Sequence, residues 1–238
     1  MNLSDSSTQS HNQSIPRLTG DVALFFVAGF FVFIVTRFGV PSLARFGVDK
    51  FAAWMFLSVL FVFTPIIAGG VFLLRTENTK DPLKTRLRLQ SLTKRDWQWV
   101  FLAVIIIGVT SLGLKILCDK IGLSVDPFDR QPAPWTKWWM FALWAIYWPV
   151  NILGEEFTWR GVILPRMERR MANKAWALNS LLWVIFHAGF NIGTILVTIP
   201  TIILVPLLSQ KTKNTWVAVI LHAVLSLPGM IAISRGLV

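Results

Sequence analysis

Apolar residues in this chain gather into runs rather than alternating. A hydrocarbon core roughly 30 Å thick takes about 17 to 25 helical residues to cross. Runs that approach or reach this length lie at residues 22–36, 51–74, 99–117 and 138–153, and a last one at about 215–234. Between the fourth and the last, residues 175–210 contain no Lys, Arg, Asp or Glu. The first run is short for a span unless it starts near Leu18 or Arg37 snorkels to the interface. The second carries Pro65 and Gly69-Gly70, tolerated in membrane helices where neighbours satisfy freed backbone groups. Trp97 and Trp99 stand at the mouth of the third, and Trp135, Trp138 and Trp139 at that of the fourth, where indole rings favour the headgroup level. Pro149 is expected to kink the fourth span. The stretch 175–210, interrupted by Gly193, Pro200 and Pro206, suits two short passes or one pass plus a re-entrant segment. Residues 1–20 are polar and Ser-rich and lack a basic n-region with a cleavage site, so they read as a disordered tail, with His11 a solvated residue of no role. The pattern predicts an all-α, polytopic integral membrane helical bundle of about seven or eight transmembrane helices, forming a single domain over 21–238.

Composition agrees. With 54% hydrophobic and 15% charged residues and a mean hydropathy of +0.60, the chain is no ordinary soluble domain, where about 25% charge is usual. The single cysteine, Cys118, excludes an internal disulfide framework and any multi-cysteine zinc or iron-sulfur site. The formal charge of +11 invites a nucleic-acid reading, but the basic residues fall between the apolar runs, so nucleic acid is not an expected partner. Counted over seven spans, 15 of them lie on the side that holds Arg17, the 75–95 loop, Arg160 to Lys174, Lys211 and Lys213, and eight on the other. The positive-inside bias puts that first side, and the N-terminus, in the cytoplasm.

Titratable groups at membrane depth are costly and mark function by default. Three clusters qualify. In Gly154-Glu155-Glu156-Phe157-Thr158-Trp159-Arg160, a continuing helix sets Glu156 and Arg160 four apart on one face, while Glu155 points about 100° away. One carboxylate is then neutralised and the other left to take a proton from water; the plainer reading is a charged helix end at the interface. Asn179, Trp183, His187 and Asn191 recur every four residues, a polar and aromatic stripe in an apolar span, in which His187 reads either as a site residue or as a buried group bonded to a neighbouring helix. His222 and Ser226 repeat that spacing, and Ser226 can also bond back to its own helix. Together the clusters suggest a polar cavity within the membrane and a hydrolytic chemistry: acid and imidazole activate water, while a second imidazole and a hydroxyl donate to an oxyanion. A Glu/His/His set holding Zn²⁺ with one open position stays possible, although there is no HExxH spacing. Ser226 as a nucleophile beside His222 ranks low, because an i,i+4 hydroxyl is poorly oriented for attack.

These residues resemble the CPBP family of intramembrane proteases, the CAAX prenyl endopeptidase and bacteriocin-processing group. Glu155-Glu156-Phe-Thr-Trp-Arg160 matches the family's EExxxR, with a familiar Gly161-Val-Ile-Leu-Pro165 after it. Trp183-Val-Ile-Phe-His187 is similar to its FxxxH, with Trp for Phe, and His222-Ala-Val-Leu-Ser226 to its HxxxN, with Ser for Asn. The resemblance covers about residues 80–234, including the basic stretch Arg86 to Arg95. It implies that Glu155 and His187 activate water, that Arg160 orders the Glu155-Glu156 pair, and that His222 with Ser226 steadies the oxyanion. It requires no cofactor; zinc, if present, would sit on Glu155, His187 and His222. The implied partners are a peptide or protein substrate, including a membrane-associated one, and the lipid bilayer. A non-enzymatic immunity or peptide-binding scaffold protein using the same cavity is the alternative, and a proton-coupled transporter a third reading, lowered because no internal repeat is apparent. A mouth of Arg166, Arg169 and Arg170 is expected to attract anionic lipid or an acidic tail.

Overall fold

The computed structural model describes residues 18–77, 79–128 and 139–234, with side chains through 231. The tail that holds His11, and Arg17, Trp135 and Trp138, lie outside the described residues. All regular structure among the described residues is helical.

The first helix, α1 (Leu18–Arg45), begins three residues inside the expected tail and runs for 28 residues, roughly 40 Å at 1.5 Å per residue. It is thus far longer than the run at 22–36. Its continuation past Arg37 depends on a π turn, Val35–Gly39, in which the Val40 N–H reaches back five residues to the Val35 carbonyl. Pro41 follows at once. A proline inside an α-helix lacks a donor and clashes with the carbonyl four residues back; the wider turn just before it relieves that conflict. The same device recurs in α2 (Lys50–Arg75), where the π turn Val59–Phe63 precedes Pro65. It appears a third time in α4, where Met140–Glu156, a π turn Phe157–Ile163 and Leu164–Met171 follow without a break and Pro165 comes directly after the turn.

Between them, α3 (Lys94–Lys120) starts at a capping box: Thr93 accepts from the Asp96 N–H at 3.1 Å and Asp96 accepts from the Thr93 N–H at 2.9 Å. The uncharged stretch 175–210 resolves into two helices, α5 (Ala175–Phe186) and α6 (Ile192–Thr212), and α7 (Thr215–Ser234) closes the bundle. α1, α2, α3 and α6 are each long and apolar enough to span a membrane. Phe30, Phe101 and Val109 are 60%, 70% and 67% exposed, an outward apolar surface that suits lipid and not water.

The break after α5 has a local cause. Gly189 is packed so closely on α1 that an added Cβ would come within 2.9 Å of the Phe33 backbone nitrogen. Thr36 of α1 also donates to the Gly189 carbonyl at 3.0 Å. The helix therefore ends at Phe186, and the expected stripe is interrupted. His187 caps α5, whereas Asn191 starts α6 by accepting from the Thr194 N–H at 2.8 Å and donates its amide to the Asp126 carbonyl at 2.5 Å. At the centre of the bundle Phe25 of α1 stacks on Trp159 of α4 at 4.0 Å, and Phe186 of α5 meets the same indole edge-on at 5.7 Å. A second glycine sets the other close crossing: a Cβ on Gly70 of α2 would lie 2.9 Å from Thr158 Oγ1, so α2 presses against the π turn that follows the acid pair.

Candidate active site

The π turn of α4 starts immediately after Glu155 and Glu156, at the buried centre of the molecule. Glu155, Glu156 and Arg160 are buried and His187 and His222 half-buried. As the spacing predicts, Arg160 Nη1 bonds Glu156 Oε1 at 3.1 Å, both side chains fully buried. His222 of α7 brings Nδ1 to the same oxygen at 2.8 Å. A paired carboxylate accepts only, so this Nδ1 carries the hydrogen and Nε2 is left as the ring's working nitrogen. His187 is held likewise: its Nδ1 lies 2.8 Å from the Trp183 carbonyl, a pure acceptor, so Nε2 is again the free position.

Glu155 is not the open carboxylate of the sequence reading. Asn151 Nδ2 donates to its Oε1 at 2.9 Å and Trp183 Nε1 to its Oε2 at 2.8 Å. Each oxygen keeps one further lone-pair site. Trp183 stands between the groups: the Arg160 guanidinium carbon lies 3.6 Å above its ring, and the His187 and His222 rings meet it edge-on at 5.5 and 5.8 Å. The three clusters of the sequence thus converge on one indole. Neither imidazole hydrogen-bonds Glu155.

Ser226 lies four residues beyond His222, but its hydroxyl donates to the Ala223 carbonyl at 3.1 Å and accepts from Trp148 Nε1 at 3.0 Å. Its one hydrogen is directed into its own helix. Sequence reasoning missed Asn151 and Trp148. The first had a signal: Asn151 precedes Glu155 by four residues, the spacing that links Glu156 to Arg160.

The zinc reading does not fit this donor set. Both imidazoles are anchored through Nδ1 and keep Nε2 open, which by itself suits a metal ligand, but Glu155 is already held by two N–H groups. Among the described residues no three His, Cys, Asp or Glu side chains are placed to hold a metal.

The expected basic mouth also differs. Arg166 bonds Asp21 Oδ1 at 2.6 Å and Glu77 Oε1 at 3.0 Å, Arg169 pairs with Glu77, and Arg86 reaches Glu77 Oε2 at 3.1 Å. Partial burial raises the Glu77 carboxyl, but the guanidiniums of Arg169, Arg86 and Arg166 outweigh it and hold the group below the usual glutamate range. Arg88 grips Glu168 with two bonds of 2.7 and 2.9 Å, and Lys213 joins them. Arg166 and Arg169, offered to an outside anion by the sequence, are thus engaged inside the protein. The sequence signal was Asp21, the acid immediately before the first apolar run.

Residues 137–227 match the Rce1-like family, described as type II CAAX prenyl endopeptidase Rce1-like. That segment carries every site residue named above. No curated protein and no solved structure matches the chain.

Proposed function

We propose that this protein, whose site-bearing segment matches the Rce1-like family, is an endopeptidase of the CPBP type that hydrolyses peptide bonds with water activated by Glu155 and His187. The observation that carries the reading is the meeting of Glu155, Arg160, His187 and His222 around Trp183. Water takes the remaining lone-pair site of Glu155, and its oxygen attacks the carbonyl carbon as its proton passes to the carboxylate or to His187 Nε2. That proton then goes to the leaving amine nitrogen as the C–N bond breaks. His222, its Nδ1–H fixed on Glu156, presents Nε2 to the oxyanion and donates to it when protonated. Ser226 joins only by turning its hydroxyl away from the Ala223 carbonyl. Glu156 and Arg160 act behind this set, ordering His222 and the site's charge.

The substrate is a peptide or protein segment that reaches the site at the membrane. A groove of about 680 Å³ lined by Leu89, Gln90, Leu92 and Trp216 lies on the 76–93 side, with Trp216 in ring contact with Phe157, the residue after the acid pair, at 5.8 Å. The 76–93 side, where most basic residues lie, faces the cytoplasm; a cysteine placed at Thr79 and labelled from outside by an impermeant reagent in sealed, oriented vesicles would reverse that orientation. The decisive experiment is a peptide-library cleavage screen in detergent. Wild type cleaves; Glu155→Gln and His187→Ala accumulate normally and do not. A Glu155→Gln variant that still cleaves removes the proposed base, and a biological effect that survives both substitutions favours a peptide-binding scaffold.

A further inference from the structure

We propose that Trp183, supported by Asn151, is a positioning residue that converts the buried charge of Arg160 into a fixed orientation of the Glu155 carboxylate; this rests on the peptidase reading above. Three contacts on one indole carry the proposal. Its N–H donates to Glu155 Oε2 at 2.8 Å, its face receives the Arg160 guanidinium at 3.6 Å, and both histidine rings meet its edges. A cation over the ring draws electron density out of it, which makes the in-plane N–H a stronger donor. Arg160 has no direct bond to Glu155, and its Nε and Nη2 have no hydrogen-bond partner in the buried centre. Besides its through-space charge, the guanidinium thus reaches Glu155 by way of the face of Trp183 and not through a fork. Asn151 holds the other oxygen at 2.9 Å from one turn earlier in α4. Two donors, one per oxygen and from two helices, fix both the plane and the rotation of the carboxylate. A phenylalanine at 183 supplies the platform for the guanidinium but no donor, so the indole N–H is the part specific to this chain.

Two substitutions isolate that hydrogen. Trp183→Phe keeps an aromatic face, and 3-benzothienylalanine at position 183 replaces only the N–H by sulfur, which keeps the question answerable should the phenylalanine variant fold poorly. Loss of one hydrogen bond to a charged group predicts a kcat about 10- to 100-fold lower. KM stays within about twofold, because the indole does not touch substrate. A residue that merely fills space would change yield or thermal midpoint without that split. A second readout does not need turnover: the carboxylate stretch of Glu155, isolated as the infrared difference between wild type and Glu155→Gln, shifts in both Trp183 variants and in Asn151→Leu. An unshifted band with kcat within about twofold of wild type overturns the proposal. A wild type that cleaves no peptide while the band still shifts overturns the peptidase reading and leaves the carboxylate clamp standing.

Discussion

Two charge clusters in this protein are built to opposite proportions. Towards the 76–93 face three guanidiniums, Arg86, Arg166 and Arg169, share two carboxylates, Asp21 and Glu77. In the interior two carboxylates, Glu155 and Glu156, stand near one guanidinium, Arg160, which pairs with Glu156. Excess cation near the membrane boundary is met by water and headgroups. Excess carboxylate in the centre is met by the N–H groups of Asn151, Trp183 and His222. A carboxylate gripped by several guanidiniums is held as an anion more firmly than one held by neutral N–H donors, which favour the charged form less strongly. The outer cluster therefore fastens helices together, and the inner one is suited to chemistry.

The contrast breaks most visibly at Glu155. Glu155→Gln keeps the side chain's shape but removes the base and leaves one of the two donors, Asn151 or Trp183, facing an NH2, and cleavage is expected to fall about 100- to 10,000-fold, measured on purified protein against a responsive peptide. Arg160→Met leaves the buried charge of Glu156 with the His222 Nδ1–H and no guanidinium. Unfolding in detergent should register a loss of about 3–5 kcal/mol, and a loss below ~1 kcal/mol would show that the inner pair is not held as described. The outer cluster predicts a pH effect of definite sign. Glu77 lies below its ordinary value in the folded protein, so its contribution is complete above the unfolded value and disappears as pH falls through the folded one. The thermal midpoint of wild type should drop in that acid window, and Glu77→Gln should flatten the drop. The smallest effect belongs to Arg169→Ala, whose side chain is 40% exposed; it should cost less than ~1 kcal/mol by chemical denaturation.

The sequence was most legible where a rule is local. Runs of apolar residues marked the helices, and the four-residue spacing of Glu156 and Arg160 predicted their ion pair. The same spacing failed for Asn191, because a helical stripe assumes an unbroken helix and the tight packing of Gly189 on Phe33 ends α5 before it. Helix lengths were underestimated for the first and fourth runs, where a widened turn before Pro41 and Pro165 carries the helix on, whereas Pro65 was read as tolerated within its span. Trp183 was legible as a flat platform and not as a donor, since a period along one helix says nothing about an acid on another. Asp21 with Arg166, 145 residues apart, is a pairing that only the assembled bundle reveals.

The widened turn Phe157–Ile163 also sets a phase. Acid pair and outer arginines sit on one continuous rod, Glu155 and Glu156 before the turn and Arg166 and Arg169 after it. Deleting one residue there would rotate the trailing segment by about 100° relative to the leading one. Arg166 would swing off Asp21 while Glu155 kept its neighbours, so the register between reactive centre and outer fastening is written into the pitch of a single helix.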